Sequence, residues 1–324
     1  MAEARSIPSA EELAAGVRAG SRRALSRALS AAEVDDERAA DLLGLLHPHS
    51  GLAATVGITG PPGAGKSTLV GALVGVRRAE ARDVGVLAVD PSSPYNGGAV
   101  LGDRLRLSDH FEDRGVFIRS LASRGALGGL SNATGRAMVV LDAFGFPEIL
   151  VETVGVGQSE VDVVRHTDTV VLVLIPGSGD SIQAIKAGIM EIPDIVCVNK
   201  AEHPDSDGMV RDLRTALAGA GERGWRVPVL ATEASSGRGV EALAEALDQH
   251  ARHLRENDGL GPRREAASAA LVEGIALARL RRQVGHQMRS GPVREALRDV
   301  ARRRADPATV AERVIRSAGS AVEA

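Results

Sequence analysis

The chain has 324 residues, enough to bury a sizeable core in one large domain with extensions or in two domains. A formal net charge of −3 gives no electrostatic reason to expect a nucleic-acid partner, and one cysteine, Cys197, excludes an internal disulfide. No apolar run is long enough to span a bilayer and no leader-like apolar stretch opens the chain, so a cytoplasmic protein without a membrane partner is expected.

Residues 1–50 carry helical, amphipathic patterns. Ser9-Ala-Glu-Glu12 resembles a capping box, and Arg22–Leu29 places apolar residues at helical spacing. A third helical stretch, Asp36–Leu46, ends before His47-Pro48, where His47 and His49 read as surface residues at a helix end. From Ala54 to about Leu254, short apolar runs alternate with helical segments. The runs are Ala54–Ile58, Val84–Val89, Val116–Ile118, Ile149–Val151, Thr169–Ile175, Ile195–Val198 and Val227–Leu230. They are nearly continuous in Val, Leu and Ile, as strands covered on both faces are. The expected fold class is therefore α/β, a mainly parallel, helix-flanked sheet. Aromatics are only 2% of the chain, so its core has to be built from Ala, Val, Leu and Ile. Gly259-Leu-Gly-Pro262 reads as a linker. Beyond it, helices are expected over Arg263–Arg289, from Pro292 to about Arg304, and from Pro307 to Ile315. Three parts follow: a helical N-terminal extension (1–50), a domain of alternating strands and helices (51–256) and an all-helical C-terminal arm (257–324). Docking or dimerisation, or simple completion of the core, are the two roles open to that arm.

The chemistry begins at Gly60-Pro61-Pro62-Gly63-Ala64-Gly65-Lys66-Ser67-Thr68, between a strand and a helix. A Gly-rich turn closing on Lys-Ser is the P-loop pattern G-x-x-x-x-G-K-[ST]. Its glycines let backbone N–H groups converge on a phosphate, and the helix start adds a favourable dipole. Lys66 reaches the β- and γ-phosphate oxygens, and Ser67 offers its hydroxyl to Mg²⁺. Asp90 closes the second strand, where it can hold the metal through water or orient the attacking water. The long loop after it ends in Gly102-Asp103-Arg104 and reads as a switch carrying Asp103 as a second carboxylate. The alternative for Asp103 is a helix N-cap ahead of Arg104–Leu107.

Ile149-Leu-Val-Glu152 is a strand that ends in an acid near the metal, and Gly155 can offer its N–H to the γ-phosphate. Ile195-Val-Cys-Val-Asn199-Lys200-Ala-Glu202 resembles the N-K-x-D base motif of GTPases. There an acid accepts from guanine N1 and N2, the lysine stem packs on the purine and Asn199 braces the loop. The acid here is Glu202, one methylene longer than Asp. Ala231-Thr-Glu233-Ala234-Ser235 occupies the place of the last base contact, with Ala234 as the small residue whose N–H can meet guanine O6. Of 39 basic residues only Lys66, Lys186 and Lys200 are lysines, and two of these lie in nucleotide motifs. Lys186, after the fifth strand together with Asp180, is drawn in by association. The two can couple nucleotide state to a partner, or be no more than a helix cap and a solvated lysine. The arginine clusters, interspersed with acids, read as solvated helix faces. Cys197 reads as a buried small hydrophobe.

With these motifs in hand the chain resembles the MeaB/ArgK family of P-loop GTPases, chaperones of adenosylcobalamin-dependent acyl-CoA mutases. The resemblance rests on residues 57–68, 89–93, 97–104, 151–160 and 185–191 and covers essentially the whole chain. It implies a homodimeric GTPase using GTP/GDP and Mg²⁺, whose nucleotide state gates cofactor loading and protects or reactivates a mutase of the methylmalonyl-CoA type. It also implies that Lys186 belongs to a third switch at the partner interface. Ser67, Asp90, Asp103 and Glu152 stand as the metal-side groups, and Lys66, Asp90, Asp103, Glu152 and Lys186 as the catalytic set. Glu202 and Glu233 depart from the family pattern. A small-molecule kinase would need an acceptor pocket with a general base, for which Asp90 is the one candidate. A nickel-delivery GTPase would need a Cys/His cluster, which one cysteine and scattered histidines do not supply. In calorimetry the purified protein is expected to bind GDP more tightly than ADP; equal affinities would remove the guanine assignment.

Overall fold

Each of the seven apolar runs meets a strand in the computed structural model, the last one starting only at Val229; the model describes residues 8–34, 36–90, 110, 112–122, 129–153, 165–177, 193–218 and 224–319. The strands are β1 (Ala54–Thr59), β2 (Val84–Asp90), β3 (Val116–Ala122), β4 (Glu148–Glu152), β5 (Thr169–Leu174), β6 (Ile195–Asn199) and β7 (Val229–Thr232). They form one sheet in the order β3-β2-β4-β1-β5-β6-β7, and every pairing is parallel. Numbered in chain order, the described helices are α1 (Ala10–Arg18), α2 (Arg22–Glu33), α3 (Glu37–Leu46), α4 (Lys66–Ala79), α5 (Gly129–Phe144), α6 (Ser206–Leu217), α7 (Val240–Glu256), α8 (Leu260–Met288), α9 (Gly291–Ala301) and α10 (Pro307–Gly319).

Alternate residues of each strand feed opposite faces, which explains the unbroken apolar runs. Val56, Ile58, Val84, Val86, Leu150, Val171, Val173 and Cys197 pack with α4 and α7. On the other face Leu87, Val89, Ile149 and Val151 pack with α5 and the N-terminal helices, and Leu172, Leu174, Val196 and Val198 with α6. Helices α1–α3 thus complete the core over one half of the sheet. Ser9 starts α1 as the expected capping box: its hydroxyl accepts from Glu12 N at 3.2 Å, while Glu12 Oε2 accepts from Ser9 N at 2.9 Å. Burial pushes the Cys197 thiol up to about 12, which keeps it protonated and inert.

Two expectations are corrected. Gly259–Pro262 is not a linker, because α8 already begins at Leu260. A proline in the first turn costs no helical hydrogen bond, so Pro262 is compatible with that start. The arginines are not all on solvated faces either. Arg77 is 0% exposed, and its guanidinium donates to Glu148 (2.8 and 3.1 Å) and Asp248 (3.1 Å to each oxygen). Such a charge is tolerated in a core only because its donors are met by carboxylates.

The chain divides into two compact units, Met1–Leu271 and Val272–Ala324. In the second, α9 and α10 pack on one another and bury Val293, Ala296, Val310, Val314 and Ala318. Among the described residues no helix is long and apolar enough to cross a membrane.

Within the first unit, the beginning of α8 is fastened to the sheet. Arg263 donates to both oxygens of Asp194, at 2.7 and 2.6 Å, and to the Asp168 carbonyl at 2.6 Å. Asp194 also accepts from Val170 N at 2.8 Å and faces His250 Nε2 at 3.3 Å. Burial alone would raise the Asp194 pKa, but the hydrogen bonds from Arg263 and His250 outweigh it and hold the carboxyl at about 2. A depressed carboxyl stabilises the fold above its unfolded value, here 3.8, and that contribution is lost as the pH falls through about 2. Arg263→Ala is expected to cost about 2–3 kcal/mol in urea unfolding at neutral pH. The deficit should narrow as the pH drops from 4 towards 2; a deficit independent of pH would refute the ion-pair account.

Candidate functional site

The turn from β1 into α4 is shaped by what its glycines allow. Gly60, Gly63 and Gly65 have φ of 141°, 76° and 84°. A Cβ on Gly60 would lie 2.0 Å from the Val173 carbonyl oxygen, so the loop leaves β1 pressed against the backbone of β5. A Cβ on Gly65 would lie 2.4 Å from Asn199 Nδ2, so a side chain there would displace Asn199. Ala64 is buried, whereas Pro62, Gly63 and Thr68 are exposed and Pro61 is half-buried. The turn delivers Lys66 and Ser67 to the first turn of α4, where backbone N–H groups have no helical acceptor and the dipole favours an anion.

Both side chains are buried and engaged. Lys66 Nζ donates to the carbonyls of Gly60 (2.7 Å) and Pro61 (3.1 Å), folding the ammonium back over the loop. Ser67 Oγ donates to Glu152 Oε1 at 2.5 Å. Glu152 is the last residue of β4 and lies in register with Ile58 of β1 on one side and Ala88 of β2 on the other. Its carboxylate, 7% exposed, therefore stands at the carboxyl edge of the sheet directly across from the P-loop. Thr153 extends the edge: its N–H donates to Ile58 O at 3.0 Å and its hydroxyl approaches Thr59 Oγ1 at 3.3 Å. Asp90 closes β2 opposite Ala122 of β3, on the same edge. Asp103, Gly155 and Lys186, with the loops that carry them, lie outside the described residues, as does the Asp90 side chain.

A second cluster joins the base motif to this loop. Asn199, the last residue of β6 and 3% exposed, donates from Nδ2 to Ala64 O at 2.8 Å. Its Oδ1 accepts from Thr232 Oγ1 at 3.2 Å and Ala234 N at 3.1 Å. The Ala234 N–H, expected at guanine O6, thus donates to Asn199 in this structure. Lys200 adopts a left-handed φ of 58° and is exposed, as are Glu202 and Ser235. That conformation turns the chain so that Ala201 N donates to Thr232 O at 3.0 Å, tying the loop after β6 to β7. Glu233 pairs with Arg238 twice, through its N–H to the Arg238 carbonyl (2.9 Å) and through its carboxylate to the guanidinium (2.9 Å). This closes residues 233–238 into a small loop.

The structure therefore brings together Lys66, Ser67 and Glu152 at one end, and Asn199, Thr232 and Ala234 at the other, joined through Ala64. Sequence reasoning missed Thr153, Thr232 and Arg238. Thr153 and Thr232 each sit beside a residue already singled out, but neither hydroxyl belongs to a motif. Arg238 lies between Gly237 and Gly239, a turn signal that marks the loop without revealing the ion pair.

Residues 23–289 match the family model described as "Methylmalonyl Co-A mutase-associated GTPase MeaB". A Pyrococcus abyssi protein named "Putative GTPase" is 43% identical over 94% of this chain and 96% of its own length. The GTPase ArgK of Escherichia coli is 36% identical over 71% of this chain and 72% of its own. The crystal structure of a LAO/AO transport system kinase aligns at a TM-score of 0.66 and 26% identity, covering 94% of this chain and 96% of that one. With a P-loop, a buried acid facing it and an Asn-Lys brace on a parallel sheet, this chain belongs to the MeaB family and is a guanine-nucleotide-binding GTPase.

Proposed function

We propose that this GTPase is a chaperone of an adenosylcobalamin-dependent acyl-CoA mutase of the methylmalonyl-CoA mutase type. Its nucleotide state would gate cofactor loading and protect or reactivate the mutase. The observation that carries the reading is the match of residues 23–289 to a family described by its association with that mutase.

The phosphate end supports a nucleotide-driven switch. Lys66 and Ser67 rest on oxygen acceptors of the protein itself, Gly60 O, Pro61 O and Glu152. Lys66 would exchange those carbonyls for the β- and γ-phosphate oxygens. Ser67, Asp90, Asp103 and Glu152 would supply an all-oxygen donor set, which suits Mg²⁺. When bound, that ion neutralises charge developing on the phosphates. Asp90 would hold or orient the attacking water, and Gly155 would offer its N–H to the γ-phosphate. Lys186 would carry the nucleotide state to the mutase. At the base end, Lys200 would cover the purine face and Glu202 accept from its N1 and N2, with Glu233, Ala234 and Ser235 closing the far side. The P-loop itself, Gly60–Thr68, carries no arginine, so the partner would complete the site.

The proposed division is an extension over 1–50, the GTPase domain over 51–256 and a dimerisation arm over 257–324. Supporting that role, no residue of the 29-residue α8 is buried, and Val272, Leu277, Leu280 and Met288 are exposed. A small-molecule kinase is the alternative, the solved relative being named a transport system kinase; phosphate release from GTP without any acceptor separates the two.

Lys66→Ala should reduce GTP hydrolysis to background while leaving the thermal unfolding curve cooperative. A variant that keeps its turnover would refute the phosphate role. A cobalamin-dependent mutase from the host should be retained by the immobilised GTPase and should raise its GTP turnover. If every such mutase fails both tests, the chaperone reading falls.

A further inference from the structure

On the edge of the sheet opposite the P-loop lies a cavity of about 400 Å³, a volume within the range of small-molecule sites. It opens where β1, β4 and β5 begin and where the last turns of α7 pass beneath them. Val56, Pro147 and Leu247 line part of its wall, and Ala251 leaves room where a larger residue of α7 would fill it.

The charged residues of its wall are not balanced. Glu148 and Asp248 are the acids, and both are already satisfied. Arg77 donates to both oxygens of each, and Arg82 donates to Asp248 at 2.8 and 3.2 Å. Arg252 and Arg255 complete the wall, three residues apart and so on one face of α7. Both are exposed, and among the described residues neither has a hydrogen-bond or ion-pair partner. Two unpaired guanidinium forks beside an apolar wall are the recognition chemistry of an oxyanion attached to an apolar body.

The geometry points to a second ligand site at this amino-terminal edge, taking a small organic anion: a phosphate or carboxylate on Arg252 and Arg255, its apolar body against Val56, Pro147 and Leu247. An occupant there also meets Arg82 and Asp248. Those residues belong to the network that anchors Arg77 at the far end of α4, the helix whose first turn carries Lys66 and Ser67. The site stands apart from the mutase proposal and survives its failure.

Phenyl phosphate and benzoate provide the two anion classes on one apolar body. Each would be titrated by calorimetry into full-length protein saturated with GDP and Mg²⁺, which keeps the P-loop filled. Saturable binding of at least one probe is expected, and the probe that binds tells phosphate from carboxylate. The double variant Arg252→Ala, Arg255→Ala should weaken it at least about tenfold. Ala251→Phe, which fills the cavity without removing either arginine, should weaken it comparably, with both variants still showing cooperative melting. If neither probe binds, or if binding persists in both variants, the site is refuted.

Discussion

Helix α4 is tied to strand β4 at both of its ends, and the nucleotide site depends on that double attachment. At the phosphate end Ser67 donates to Glu152, the last residue of the strand; at the other end Arg77 donates to Glu148, its first. A five-residue strand and a fourteen-residue helix are thereby held in one relative position. The Arg77 contact is the more demanding, since a fully buried guanidinium is stable only with its donors matched. Glu148 and Asp248 match them and tie in α7, so the floor of the P-loop helix is shared by three elements.

At the carboxyl edge the corresponding unit is Asn199. Its amide reaches the P-loop at Ala64 and the loop after β7 at Thr232 and Ala234, using both its donor and acceptor ends. The absence of a side chain at Gly65 is what lets the amide come so close. The P-loop and the loops after β6 and β7 are therefore not independent patches. A displacement of β6 relative to β1 would disturb both.

The starting edge of the sheet is equally organised, though by charge. Asp194, Asp168, Glu148 and Asp248 each meet arginines there, from α4, α8 and the connection into β2. In a chain nearly devoid of lysine, these planar guanidinium groups supply paired, directional hydrogen bonds that an ammonium cannot. Arg252 and Arg255 stand out because, among the described residues, they have no such partner.

Much of this was legible in the sequence. Unbroken Val, Leu and Ile runs marked all seven strands, because a strand covered on both faces has no polar side to interrupt it. The P-loop, the acid ending β4 and the Asn-Lys pair were readable because phosphate and purine chemistry demands those residue types at those spacings. What the sequence could not express was which distant groups meet. Arg77 looked like a surface residue until α7 and β4 closed around it, and Gly259–Pro262 looked like a linker although its proline suits a first helical turn. Residue types and local spacing determined the strands, the helices and the identity of the nucleotide motifs. Tertiary structure alone decided that Ser67 faces Glu152 and that Asn199 joins the two ends of the site. Those facts depend on register between strands far apart in the chain, which no local pattern records.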